Sequence, residues 1–380
     1  MKYCKKCVQP DTRPGIFFTE DGVCGACLYE EEKKEVDWIK REGELKEIAE
    51  WAKVEAVARK CNYDCAIGVS GGKDSTFQSV YARDKLGLHP LLVNSEPEGI
   101  TEVGIKNIEN LKNLGFDVIS LRPNPQVMKK LIKKDFYEFL NPAKVTEFSL
   151  WSSTYIVADK FNIPLIVQGE NAALTLGVRN TGMGIGDDAL NANKQNTLSS
   201  GWQRYMADGI TERDLLMFHY DRDIIRAQGI RGIWLQYYAK EWSDAYNTEF
   251  AVSHGLQGRP GHDPNLTGRL NPYSSVDADL HVLNQMLKYY KFGFGFITDG
   301  TCYRIREGSL SRDEAIKLVE QYDGKLDQHF IDEFCAYIGI TVEEFWQVVD
   351  RFVNKKLFQK EPATGKWKPL FKVGYDFVSE

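Results

Sequence analysis

Residues 30–60 are dense in Glu and Lys, and within them Val36, Ile39, Leu45, Ile48, Trp51, Val54 and Ala58 recur at near-helical spacing. An apolar stripe on a charged background predicts an amphipathic helix. The pattern then changes. Short apolar runs at 65–69, 91–93, 118–121 and 164–167 read as strands, and 75–86, 102–114, 125–140 and 146–161 read as helices. Strands alternating with helices in this way are βαβ units, which build a parallel sheet with helices on both faces and a ligand site at the carboxyl ends of the strands. The expected fold class is therefore α/β, a parallel doubly wound sheet. Two stretches, 175–201 and 255–275, are polar and Gly-rich. Structureless segments of that length are functional loops or disorder. From about 276 onward the pattern is helical.

Ahead of the linker helix the chain is short, turn-rich and Cys-rich. The expected organisation has four parts: a cysteine module at 1–29, a linker helix at 30–60, an α/β domain at 61–250, and a loop plus helical C-terminal region at 251–380. Composition agrees with a folded protein. The 380 residues are 43% hydrophobic and 27% charged, with a net charge of −6. That balance disfavours nucleic acid and anionic membrane as partners, both of which want a basic surface. No run approaches the roughly 18 apolar residues of a membrane helix. The N-terminus has no apolar stretch of the secretory kind. The expected location is cytoplasmic, with no membrane partner.

Four of the eight cysteines, Cys4, Cys7, Cys24 and Cys27, fall as two C-x2-C pairs near the N-terminus. Each pair can place two thiolates on one side of a tight turn, and two pairs complete a tetrahedron around Zn²⁺. Four thiolates leave no open coordination position, so the expected role is structural. A module this small also needs more than apolar burial to fold. Gly22-Val-Cys24-Gly-Ala26 loosely imitates a glutaminase nucleophile elbow, but no apolar strand precedes it. Cys61 and Cys65 are not expected to be ligands.

The first strand ends at Ser70-Gly-Gly-Lys-Asp-Ser75. Gly71 and Gly72 let backbone N–H groups converge on an anion, and the following helix adds its positive N-terminal end. Lys73 supplies a point charge, Ser70 and Ser75 supply hydroxyl donors, and Asp74 is placed to hold Mg²⁺. The pattern G-x4-G-K-[ST] is not met: Gly68 is one residue too close to Gly72, and Asp74 follows the lysine. The fourth strand closes on Gln168-Gly169-Glu170-Asn171, which would present a second set of groups to a nucleotide, with Glu170 and Asn171 as contacts for Mg²⁺, ribose or substrate; the alternative is that they only cap a helix. Asn94, after the second strand, is a further nucleotide candidate. Asp187, Asp188 and Lys194 could close over phosphates or stay in solvent.

Ser70-Gly-Gly-Lys-Asp-Ser75 resembles the PP-loop of the ATP pyrophosphatase superfamily. The likeness widens with Cys4-Lys-Lys-Cys7-Val-Gln-Pro-Asp-Thr-Arg-Pro-Gly15, Cys24-x2-Cys27, Gly169-Glu-Asn171, Lys291-Phe-Gly-Phe-Gly295, Ile305-Arg-Glu-Gly308 and Ser311-Arg-Asp-Glu-Ala-Ile316. Together these are similar to the N-acetyl sugar amidotransferase family of the WbpG/PseA type, over nearly the whole chain. One departure is Thr298-Asp-Gly300, where many relatives carry His after the Asp. The resemblance implies adenylation of the N-acetyl oxygen of a nucleotide-activated sugar by ATP, release of pyrophosphate, and displacement of AMP by ammonia to leave an acetamidino group. The pathway it implies is surface polysaccharide (O-antigen) or nonulosonate biosynthesis. It further implies a HisH-like glutaminase with a HisF-like ammonia-conducting partner, since the chain itself shows no credible glutaminase. Lys73, Asp74 and Glu170 are the expected catalytic groups, and ATP is expected at Ser70 to Ser75, Asn94 and Gly169. Asn171, Arg304 and Arg306 are expected at the substrate, a guanidinium being suited to a carboxylate or diphosphate. The expected cofactors are ATP, Mg²⁺ and Zn²⁺. The rival readings are a tRNA thiolation enzyme, disfavoured by the lack of cysteine between Cys65 and Cys302, another ammonia-using adenylating synthetase, and a non-catalytic zinc-bearing scaffold.

Overall fold

The computed structural model describes residues 1–178, 186–190, 201–207 and 209–378. Its centre is a five-stranded sheet in the order β3-β2-β1-β4-β5, with β1 Cys65–Val69, β2 Pro90–Ser95, β3 Asp117–Leu121, β4 Leu165–Gln168 and β5 Arg231–Trp234. All four pairings are parallel. Every residue of β2 and β4 is buried. A parallel strand is covered on both faces, which is why these runs are continuously apolar rather than alternating.

Four of these strands coincide with the sequence reading to within one or two residues. The fifth was not anticipated: Arg231–Trp234 begins with Arg and Gly and follows a long irregular stretch, so neither its length nor its pattern announces a strand. The helices Lys73–Asp84, Glu102–Asn113, Pro125–Phe139 and Lys144–Lys160 cross over between successive strands. The amphipathic linker helix forms at Trp38–Ala58, capped by Asp37, whose side chain accepts from the Lys40 N–H. It starts later than expected because a separate helix, Gly25–Glu32, and a 3₁₀ turn precede it.

The chain enters the sheet at β1, runs outward to β3, then returns to β4 beside β1. This reversal opens a crevice at the carboxyl ends of β1 and β4, the position where doubly wound sheets bind ligands. The loops after β1 and β4 are 70–72 and 169–171, so both candidate loops meet there.

The C-terminal region is helical, as expected, and ends with a small antiparallel hairpin, Phe358–Lys360 with Trp367–Pro369. It is bound to the N-terminal module. Met1 and Phe377 exchange backbone hydrogen bonds, the Tyr3 N–H donates to Asp376 Oδ1 at 2.8 Å, and Arg312 Nε donates to the Cys7 carbonyl at 3.1 Å. Among the described residues, no helix is long and apolar enough to cross a membrane.

Candidate active site

The loop after β1 needs its glycines. Gly71 has φ +74°, a left-handed conformation, and a Cβ there would stand 3.0 Å from the Asn107 Cβ. Gly72 is the extended N-cap of the helix Lys73–Asp84, and its carbonyl accepts from Ser75 Oγ at 3.1 Å and Thr76 Oγ1 at 2.9 Å. These bonds hold the first turn, whose leading N–H groups have no intrahelical partner and are available to an anion.

Lys73 is gripped by two carboxylates: its Nζ lies 2.7 Å from Asp74 Oδ2 and 3.0 Å from Asp244 Oδ1. Burial alone would lower its pKa, but Asp74 and Asp244 outweigh burial and raise it, so the ammonium stays charged. Burial opposes ionisation of Asp244 as well, yet Lys73 prevails and the carboxyl stays below its usual range. Asn247 Nδ2 donates to Asp74 Oδ1 at 2.7 Å, and Asn271 Nδ2 approaches Asp244 Oδ2 at 3.3 Å. Asp244 and Asn247 lie on the helix Asp244–Ser253. They were missed by sequence reasoning because no motif marks them, and only the packing of that helix against Lys73–Asp84 brings them in.

Opposite stands the loop after β4. A Cβ on Gly169 would fall 2.6 Å from Gln78 Oε1 and 2.8 Å from Trp242, so only glycine fits. Glu170 is pushed up to about 7, chiefly by burial and then by Asp74, with Lys73 opposing. Asn171 is fully buried. Its Oδ1 accepts from the Ala173 N–H, its N–H donates to Gln236, and its Nδ2 meets no partner among the described residues.

These groups surround two voids. A cavity of about 680 Å³ is lined by Ser70, Asp74, Ser75, Gly169 and Glu170 on the sheet side. A smaller one of about 120 Å³ holds Lys73, Asp244 and Arg306. The far wall of the large cavity comes from outside the sheet domain: Arg13 of the cysteine module, and Lys288, Phe294, Asp299 and Tyr303 of the C-terminal region. The run Tyr289–Phe296, which alone reads as core, thus supplies cavity wall.

The remaining candidates divide. Arg306 is held in place by donating to the Thr175 carbonyl at 3.1 Å. Arg304 acts on Asp244 through its charge. Asn94 is buried in β2 and turned to Ser120 Oγ at 3.2 Å. Asp187 and Asp188 are described, whereas Lys194 lies outside the described residues.

Cys4, Cys7, Cys24 and Cys27 are all buried, and their sulfurs lie within 4.8 Å of one another. Cys7 and Cys24 Sγ are 3.7 Å apart, near the ~3.8 Å edge of a tetrahedron with metal–sulfur bonds of about 2.3 Å. The N–H groups of Lys6, Gln9 and Cys24 point at the sulfurs of Cys4, Cys7 and Cys4, at 3.4, 3.5 and 3.3 Å, as suits thiolates. The donor set fits a metal ion. Cys61 and Cys65 stand apart: Cys65 is buried in β1, and Cys61 Sγ faces the Tyr63 and Phe161 carbonyls.

Residues 267–373 match the family model described as LPS biosynthesis protein WbpG-like, C-terminal domain. This chain carries a WbpG-like C-terminal domain. That domain supplies Lys288, Phe294, Asp299 and Tyr303 to the large cavity, so the matched segment and the sheet domain share one site. No curated protein matches the chain. Among solved structures, an NMN synthetase from Francisella tularensis is 13% identical with a TM-score of 0.29, covering 60% of this chain and 100% of that one. A predicted subunit of tRNA methyltransferase from Methanocaldococcus jannaschii is 17% identical with a TM-score of 0.24, covering 37% of this chain and 72% of that one. Likenesses this loose carry no weight, and the fold rests on the order and direction of the strands.

Proposed function

We propose that the protein is an ATP-dependent amidotransferase that converts an N-acetyl group of a nucleotide-activated sugar into an acetamidino group, in the biosynthesis of a surface polysaccharide such as O-antigen, or of a nonulosonate. One observation carries the reading: the Ser70–Ser75 loop lines a cavity whose far wall is supplied jointly by Arg13 and by Lys288, Phe294, Asp299 and Tyr303 of the WbpG-like domain.

An amide carbon is a poor electrophile and its oxygen a poor leaving group. Transfer of AMP to that oxygen changes both. The acetamido oxygen attacks the α-phosphorus of ATP, the bond to the bridging oxygen breaks, pyrophosphate leaves, and the amide nitrogen loses its proton. Ammonia then adds to the imidate carbon, the C–O bond breaks, and AMP departs. Lys73 and the N–H groups of the first helical turn are suited to the β,γ-phosphates. Asp74 and Asp244 would hold Mg²⁺ together with phosphate oxygens, since this ion commonly takes only one or two carboxylates from the protein. Glu170, half-protonated near neutrality, suits proton transfer from the incoming ammonia. Zn²⁺ in the cysteine quartet would be structural and hold the wall that carries Arg13. The ammonia source is proposed to be a HisH-like glutaminase with a HisF-like conduit.

The test is mass spectrometry of UDP-linked diacetamido sugars incubated with the protein, ATP, Mg²⁺ and ammonium salt. The reading requires a product about one mass unit lighter, formed with AMP. Unchanged sugar across all such acceptors would reject it.

A further inference from the structure

The large cavity is electrically polarised. Asp74 and Glu170 stand at the loop end. The opposite end is lined by Arg13, Lys144, Lys288 and Lys291, against two carboxylates, Glu147 and Asp299. Asp299 is shared: one oxygen pairs with Arg13 and the other lies 2.8 Å from Lys288 Nζ. The Arg13 side chain is 10% exposed; its Nη2 also donates to Gln9 Oε1 at 3.0 Å, and its Nε is buried without a partner among the described residues. Arg13 and Lys288 both lie against the Phe294 ring, at 4.6 and 4.8 Å from its centre. Lys291 Nζ donates to the Phe139 carbonyl at 3.0 Å, which leaves two of its three hydrogens.

Arg13, Lys288 and Lys291 against Asp299 leave net positive charge in a partly buried wall. Buried charge without a counterion is costly, and an arginine with an unused donor there is uncommon. A ligand carrying two negative charges would satisfy both.

We propose that Arg13, Lys288 and Lys291 form an oxyanion subsite for the acceptor, taking its diphosphate, so that the reactive end of the acceptor points back towards the Ser70–Ser75 loop. The assignment deepens the amidotransferase reading and rests on it only for the existence of an acceptor. It moves anion recognition from Arg304 and Arg306, where sequence reasoning put it, to residues that no motif reading singled out for this role. A carboxylate on the sugar would share the oxyanion chemistry, so the test includes both sources.

The test is calorimetric titration of the full-length protein with UDP and, separately, with free glucuronate and with ATP. Arg13→Met and Lys288→Met should each weaken UDP binding at least about tenfold, the scale of one charge-assisted contact. ATP affinity and metal content should be unchanged, and Lys288→Arg should restore UDP binding. Metal content and melting temperature report whether Arg13→Met has disturbed its module, and Lys288→Met carries the test if so. Three results would overturn the proposal: UDP binding equally well to wild type and both variants, UDP not binding wild type, or ATP affinity falling in parallel with that of UDP. Loss of glucuronate binding with UDP unaffected would overturn the diphosphate assignment. No step requires turnover, so failure to form an amidine would sink the amidotransferase reading and leave the subsite standing.

Discussion

Lys73 Nζ lies 3.0 Å from Asp244 Oδ1, a contact between the first helix of the sheet domain and a helix that follows its last strand. With Asp74 on the other side, the lysine is fixed in charge and direction. Lys73→Ala should lower AMP formation at least about a hundredfold, as loss of a preorganised cation does. Asp244→Asn should raise the Mg²⁺ concentration needed for half-maximal rate, and circular dichroism should show both variants folded. Full activity in folded Lys73→Ala would remove the loop from the mechanism.

Glu170 titrates near 7 rather than at its ordinary 4.5, mainly through burial. Between those values the folded protein keeps a proton that the unfolded chain has lost, so stability falls as pH rises through this window. Glu170→Gln never ionises. Its melting temperature should gain on wild type from pH 4.5 to 7 and then run parallel. If Glu170 is the base, the variant should also lose about a hundredfold in kcat at neutral pH. Melting curves that track wild type at every pH would contradict the assignment.

The cysteine quartet is linked to Arg13 through Gln9, whose N–H points at Cys7 Sγ and whose Oε1 accepts from Arg13 Nη2. Cys4→Ser should abolish stoichiometric metal binding and lower the melting temperature, because the module is too small to fold on its apolar surface. Arg13 would then lose its support, and UDP affinity should fall with metal content while ATP affinity changes little. An unaltered metal-to-protein ratio would refute the quartet.

Lys291 is pushed down to about 8 by burial, with Lys144 and Lys288 adding repulsion and Glu147 opposing it. Its ammonium is present below about 8 and lost above. The KM for a diphosphate acceptor should therefore rise about tenfold from neutral pH to about pH 9, a loss on the scale of one charged contact. Lys291→Arg should move that rise to higher pH. A KM independent of pH would exclude Lys291 from the subsite.

The sheet was legible because apolar runs such as Cys65–Val69 and Pro90–Ser95 must be continuous to be buried on both faces. The loop was legible because Gly71 needs a positive φ and Lys73 follows it at a strand–helix junction. Asp244 and Asn247 were not, since their role depends on how one helix packs against another. The same holds for Arg13, Lys288 and Asp299. Arg13 and Asp299 fall within quoted motifs, but no pattern gave them or Lys288 this role, and Arg13 reaches the other two only because the chain's two ends fold together. Arg306 read as a substrate contact, and it lines the smaller cavity beside Lys73 and Asp244 while giving one donor to the Thr175 carbonyl.

Everything turns on which bond of ATP is cleaved. Phosphorus NMR of a reaction containing protein, ATP, Mg²⁺, ammonium and the accepted sugar identifies the products directly. The account predicts AMP and pyrophosphate in equal amounts, matched to the amidine formed. ADP and orthophosphate would contradict it.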